Sequence, residues 1–302
     1  MIDFKPVTPQ DKELLTSYLF PGERRDANLS MVNLCSWQFL TCSSFALVDE
    51  LLVLRFCFDS DRTVYSIPVL GAQVEGVIRR LARQAVEEDL PLCFYGIVPE
   101  LKEMLDKVYP EVFEYEEDRD YFDYLYLRKD LAELKGKDYQ TKRNHVNKFK
   151  KRYDFRFLPL TAEMVPDCLQ LYREWCGERL CEEDEGLEQE RQALTYGLER
   201  FEELGITGGS LWVEGKMIAF TFGAPVNYDT FCIHAEKALG SFEGAYNTIN
   251  QEFAQYIPER FVYLNREEDL GLPGLRKAKM SYRPVRMLEK GVAVCPPALL
   301  RL

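Results

Sequence analysis

One supersecondary pattern is written twice in this chain, and the repetition restricts its fold more than any single motif. Ser44-Phe45-Ala46-Leu47-Val48-Asp49-Glu50-Leu51-Leu52-Val53-Leu54-Arg55-Phe56 and Ser210-Leu211-Trp212-Val213-Glu214-Gly215-Lys216-Met217-Ile218-Ala219-Phe220-Thr221-Phe222 are each two apolar, strand-like runs joined by a short polar turn. Gly215 supplies the residue that such a hairpin favours. After each hairpin come a third strand (residues 63–67 and 230–235), a glycine (Gly71 and Gly240), a long helix (73–88 and 242–256) and a short strand (92–95 and 261–264). Identity between the copies is slight, so what recurs is the pattern of apolar and polar positions. It predicts two α/β units with mixed sheets, residues 1–125 and 155–302, joined by a segment at 126–154.

A chain of 302 residues with 46% hydrophobic residues suits two domains of ordinary size. No apolar run reaches the roughly 18 residues of a membrane helix. Met1-Ile2-Asp3-Phe4-Lys5 lacks the features of a secretory leader, so a cytoplasmic location is expected. The nine cysteines (Cys35, Cys42, Cys57, Cys93, Cys168, Cys176, Cys181, Cys232 and Cys295) are scattered, without a CxxC pair. They read as thiols of a reducing compartment. With only His145 and His234 to join them, no metal site is expected.

The net charge of −12 argues against general affinity for nucleic acid. Its distribution is uneven: from Arg128 to Arg156 eleven lysines and arginines face four acids. A basic band on an acidic body can hold a polyanion locally. The second half of the band has helical periodicity. Tyr139, Val146, Phe149 and Tyr153 form a buried stripe, while Asn144, Asn147, Lys148 and Lys151 point away. Such a run is ordinarily a solvated face. Lys142, however, falls inside the apolar sector, where an ammonium must snorkel outward or face a polar cleft.

A second dense segment runs Asn265-Arg266-Glu267-Glu268-Asp269-Leu270-Gly271-Leu272-Pro273-Gly274-Leu275-Arg276-Lys277-Ala278-Lys279-Met280-Ser281-Tyr282-Arg283-Pro284. Three acids follow directly on an apolar strand, a Gly/Pro loop reverses the chain, and four cations succeed it. Carboxylates at a strand end beside cations can orient an amine and hold phosphate groups. A surface ion-pair network around a tight turn is the alternative.

The element order, taken twice, resembles the tandem GNAT (N-acetyltransferase-like) arrangement of the Fem peptidyltransferases and of the C-terminal catalytic domain of phosphatidylglycerol lysyltransferase. The resemblance covers nearly the whole chain. It rests on residues 28–39, on residues 136–149 with Lys142-Arg143-Asn144-His145-Val146-Asn147-Lys148-Phe149 at their centre, and above all on residues 265–284. The resemblance implies that strands four and five of each unit splay apart, and that a cofactor pyrophosphate sits on the N-terminus of the following helix. The usual turn there reads Arg/Gln-x-x-Gly-x-Gly/Ala. Here it is Lys237-Ala238-Leu239-Gly240-Ser241-Phe242-Glu243-Gly244, with Phe242 in place of the second glycine and a carboxylate, Glu243, where phosphate belongs.

Loss of that turn is what the Fem-like transferases imply, since they take an aminoacyl group from charged tRNA in place of acyl-CoA. The expectation is therefore an aminoacyl-tRNA-dependent aminoacyltransferase with no bound cofactor. Its acceptor would be the amine or hydroxyl of a small molecule, peptide or lipid head group. Glu236, His234 and Asp269 are the candidates for base or substrate-amine ligand. Lys142, Arg143, Asn144, Asn147, Lys148, Glu267, Glu268, Arg276, Lys277, Lys279 and Tyr282 are the candidates for substrate binding. An acyl-CoA-dependent N-acyltransferase and a non-catalytic binding module are the competing readings.

Overall fold

The computed structural model describes residues 1–59, 62–177 and 185–301. Cys181 lies outside them. Fourteen strands among the described residues form two seven-stranded mixed sheets. In chain order they are β1 (Lys5–Pro6), β2 (Ser44–Val48), β3 (Leu51–Asp59), β4 (Arg62–Ser66), β5 (Leu92–Ile97), β6 (Glu114–Glu116), β7 (Asp123–Leu127), β8 (Phe155–Pro159), β9 (Thr207–Val213), β10 (Lys216–Pro225), β11 (Thr230–Ala238), β12 (Tyr263–Asn265), β13 (Arg286–Leu288) and β14 (Gly291–Cys295). Both repeated hairpins, β2–β3 and β9–β10, turn on two residues in the left-handed region. These are Asp49 (φ 50°) and Glu50 (φ 67°) in the first, Glu214 (φ 51°) and Gly215 (φ 79°) in the second. Two successive left-handed residues match the twist of the flanking strands.

The sheet orders are β1-β2-β3-β4-β5-β14-β6 and β8-β9-β10-β11-β12-β7-β13. Position by position they are the same sheet, with one exchange. The seat beside β5 is taken by β14, from the end of the chain, and the equivalent seat beside β12 by β7, from the end of the first copy. A boundary at residue 125 would cut β7, which belongs to the second sheet, and a unit of 155–302 would include β14, which belongs to the first. Neither sheet is closed by its own copy alone.

The helices are α1 (Lys12–Leu19), α2 (Met31–Ser36), α3 (Gln38–Thr41), α4 (Val74–Glu88), α5 (Pro99–Val108), α6 (Arg128–Glu133), α7 (Gln140–Arg152), α8 (Val165–Gly177), α9 (Glu185–Glu199), α10 (Phe201–Leu204), α11 (Ala245–Tyr256) and α12 (Pro273–Met280). In α4, Val74, Val77, Ile78, Leu81, Ala82 and Ala85 make the apolar stripe that covers the first sheet. The basic segment is no free linker. Leu131 and Ala132 of α6 and Val146 of α7 pack with Phe253 and Ala254 of α11 in one core. On α7, Val146 and Phe149 are buried, and Asn144, Asn147, Lys148 and Lys151 face solvent.

Candidate functional site

In the second sheet β11 and β12 run parallel but pair only from Thr230–Tyr263 to Cys232–Asn265. Beyond that, β11 continues to Ala238 while the chain after Asn265 turns away, so the two strands splay. The pairing of β10 with β11 skips His234, a β-bulge that re-aims the imidazole. Side chains from both strands fill the opening. Arg266 donates to Glu236 (Nη2–Oε1 3.0 Å), and Asn250 of α11 donates to the other oxygen of the same carboxylate (Nδ2–Oε2 3.2 Å). The Arg266 guanidinium lies 5.1 Å from the Tyr282 ring centroid and 5.8 Å from that of Tyr126. The Tyr282 hydroxyl accepts from Asn247 Nδ2 at 2.7 Å. Lys142, from α7, closes the group with its ammonium 4.1 Å above the Tyr282 ring.

Burial opposes the Arg266 charge, yet Glu236 and the two tyrosines hold its pKa above the ordinary value. Lys142 has no such carboxylate: burial first, and then the Arg266 guanidinium, push its ammonium below the usual lysine range. Burial also pushes the Tyr282 phenol up to about 12, so it stays protonated. Arg266 Nη1 and Asn250 Oδ1 are buried with no hydrogen-bond partner among the described residues. An unmet donor and an unmet acceptor thus lie beside a carboxylate and a half-buried ammonium, a largely buried polar group whose charges complement both ends of a zwitterion.

The other candidates are placed differently. His234 donates from Nδ1 to Glu267 Oε1 at 2.9 Å, and Asn33 of α2 donates to the same oxygen at 2.9 Å. Its hydrogen-bond partner is thus not one that Glu236 uses. Asp269 is fully buried. It accepts from Arg276 (Nη2–Oδ1 2.7 Å), Arg119 (3.2 Å), the Tyr124 hydroxyl and the Gly271 amide (3.0 Å), and these donors hold its carboxyl well below the usual range against the effect of burial. With its acceptors taken, Asp269 is the internal anchor of the 265–284 loop. Arg276 serves the same anchor and also pairs with Asp120. Lys279 turns inward to the carbonyls of Arg266 and Glu268. Lys277 is exposed.

On α7, the Arg143 guanidinium ties down the carbonyls of Leu134 and Gly136. Lys148 makes an exposed pair with Glu243 at 3.3 Å.

Sequence reasoning missed Lys290 and Asp123, which take Glu268, expected at the substrate, into a buried charged group where the exchanged strands meet. Lys290 donates to Asp123 (2.7 Å), Glu268 (3.0 Å) and Asn28 (3.0 Å) with its side chain only 1% exposed. Burial opposes its charge, and the two carboxylates hold it well above the usual lysine value. Burial raises the Asp123 carboxyl, while Lys290 holds Glu268 down against its own burial. The available signal was Asp123 itself, an acid opening an otherwise apolar run.

The N-terminus of α11, where a GNAT cofactor pyrophosphate would rest, is covered. Gly244 (φ 90°) lies so close under α7 that a β-carbon would stand 2.8 Å from the His145 carbonyl oxygen. Glu243 projects from the same turn toward Lys148 and Arg152. Lys237, which could match the first position of the cofactor turn, is buried on Trp175 (3.9 Å to the ring centroid) and bonded to both oxygens of Glu190. These residues do not form an open anion cradle. Two surface cavities lie elsewhere. One of about 460 Å³ is lined by Lys12, Glu13, Thr16, Ser17, Phe20 and Pro21, and one of about 220 Å³ lies between α8 and the β9–β10 turn. No helix among the described residues is long and apolar enough to cross a membrane.

Two units of this strand order, with splayed parallel strands at the second, define a tandem GNAT-like α/β fold. The chain belongs to the family described as phosphatidylglycerol lysyltransferase, C-terminal, whose model matches residues 21–293. A conserved protein of unknown function from Bacteroides thetaiotaomicron is 47% identical, with a TM-score of 0.94 over 98% of this chain and 100% of that one. L-PGS from Bacillus licheniformis shares the fold at 15% identity, with a TM-score of 0.68 over 100% of this chain and 97% of that one. FemX shares it at 10% identity, with a TM-score of 0.63 over 97% of each chain. An uncharacterized protein of Mycoplasmoides gallisepticum is 22% identical over 172 residues, and the chain spans 54% of the length of that curated relative. Family and fold are those of GNAT-type acyltransferases.

Proposed function

We propose that the chain is an aminoacyltransferase that draws its aminoacyl group from charged tRNA. The observation that carries this reading is the polar group at the splay, where Glu236 and Arg266 are paired but not saturated and Lys142 stands over Tyr282 without a carboxylate of its own. In this scheme the ammonium of the aminoacyl group exchanges for one donor on Glu236, and the exposed residues of α7, Asn144, Asn147, Lys148 and Lys151, meet the tRNA backbone. Lys142 moves off Tyr282 to admit the substrate. An acceptor amine or hydroxyl adds to the ester carbonyl, and Lys142 faces the oxyanion of the tetrahedral intermediate. The ester C–O bond then breaks, and the proton given up by the nucleophile ends on the released ribose hydroxyl.

An acyl-CoA donor finds less support, since α7 and Glu243 occupy the place its pyrophosphate needs. The test is transfer from tRNA charged with radiolabelled amino acids to a panel of amines, peptides and lipid vesicles. Label leaving tRNA for an acceptor with wild-type protein, but not with Glu236→Gln, supports the reading. Hydrolysis no faster than in buffer with every acceptor sinks it.

A further inference from the structure

Two backbone irregularities on neighbouring strands converge on one point that the acyl-transfer reading does not use. The bulge in β11 re-aims His234 two residues after Cys232. Just past the end of β12, Glu267 adopts φ 57°, an uncommon conformation for a residue with a side chain. Non-glycine residues are held in such conformations where the surroundings demand it, and functional sites are where they gather. The result is a compact group: His234 Nδ1 is 2.9 Å and Cys232 Sγ 3.8 Å from Glu267 Oε1, and one ligand atom from each of the three residues lies within 4.8 Å of the others. Cys232 is fully buried, the His234 side chain is 4% exposed, and Glu267 is 23% exposed, which leaves one side open.

Zinc bonds of about 2.0–2.3 Å in a tetrahedron separate ligand atoms by about 3.5 Å, and the two measured separations bracket that figure. Thiolate, imidazole and carboxylate together are a zinc-type donor set, poorly matched to magnesium or calcium. Asn33 Nδ2, 2.9 Å from Glu267 Oε1, supplies the outer hydrogen bond that orients a ligating carboxylate. His234 Nε2 is buried with no partner among the described residues, so the one hydrogen bond to Glu267 does not satisfy the ring.

The geometry points to a divalent transition-metal site, of zinc type, formed by Cys232, His234 and Glu267 with a fourth position open to water or a ligand group. Binding releases the Cys232 thiol proton to solvent and leaves a thiolate ligand. The ion clamps β11 to the segment after β12 at the point where they part. It also reverses the expectation drawn from the scattered cysteines and two histidines, because the three ligands come together only through the pairing of β11 with β12.

The experiment takes the purified full chain, strips it with chelator and titrates it with Co²⁺. One equivalent should give a thiolate-to-cobalt charge-transfer band and the d–d bands of a tetrahedral ion, both displaced by Zn²⁺. Cys232→Ser should lose the charge-transfer band, and Cys42→Ser, at an exposed cysteine, should keep it. Glu267→Gln should weaken binding at least about tenfold while the circular dichroism is unchanged, which covers the case in which Cys232→Ser fails to fold. No saturable thiolate band, or a band and affinity unaltered in both Cys232→Ser and Glu267→Gln, would overturn the site and leave a hydrogen-bonded cluster only.

Discussion

Lys290 Nζ sits 2.7 Å from Asp123 Oδ1, with the two side chains 1% and 0% exposed, and the pair joins the beginnings of the two exchanged strands. Asp123 opens β7, which completes the second sheet, and Lys290 immediately precedes β14, which completes the first. Asp123 also accepts from the Ala27 amide and from Asn265 (2.8 and 2.9 Å), and Glu268 and Asn28 complete the lysine's shell. A buried ion pair adds little net stability compared with apolar packing, but removing one partner strands the other. The pair therefore registers the two sheets against each other.

Lys290→Met leaves Asp123 and Glu268 without their cation and should cost about 3–5 kcal/mol. Urea unfolding followed by two probes should show a single transition shifted to lower denaturant, because each sheet holds a strand of the other copy. A loss under about 1 kcal/mol, or two separate transitions, contradicts the account of the exchange.

Asp269→Asn should cost about 2–3 kcal/mol at neutral pH through its lost charge-assisted hydrogen bonds. The native carboxyl titrates below its unfolded value of about 3.9, so its contribution is complete above that pH and is lost as pH falls toward the native pKa. The variant should accordingly lose less stability than wild type on acidification below about pH 4, measured by chemical denaturation across pH. Parallel acid limbs would contradict the anchoring role.

Gly244→Ala must accommodate a β-carbon against the His145 carbonyl in a left-handed conformation. A cost of about 1–3 kcal/mol is expected, with α7 loosened as judged by faster amide exchange along Gln140–Arg152. In the wild type, calorimetric titration with acetyl-CoA should give no saturable heat.

Much of the fold was legible because hairpins and amphipathic helices are local. The two-residue turns at Asp49-Glu50 and Glu214-Gly215 and the stripe of α4 follow from periodicity and turn chemistry. The helix starting at Ala245 was expected three residues earlier, because Phe242 and Gly244 form a turn that the apolar pattern does not reveal. Partner choice was not legible: alternation assigns faces to β7 and β14, not neighbours. In the site, Lys142 stood out as a cation in an apolar sector, and it does lie half-buried over Tyr282. Asp269 reads from the sequence as a base or substrate-amine ligand and Arg276 as a substrate-binding cation, whereas the loop folds them onto each other, since a carboxylate and a guanidinium seven residues apart satisfy one another before any ligand arrives.

Lys148→Ala with Lys151→Ala should weaken tRNA binding and flatten the log–log dependence on salt by about 0.9 for each duplex phosphate that the lysines no longer neutralise. Filter binding across a salt series measures both. An unchanged slope would reduce α7 to a solvated face.

The most direct test of the central claim compares the affinity of the chain for one tRNA in its charged and deacylated forms. The account predicts tighter binding of the charged form by at least about tenfold, equivalent to about 1.4 kcal/mol. That difference should vanish in Glu236→Gln while affinity for the deacylated tRNA is retained. Equal affinity of the wild type for the two forms would contradict it.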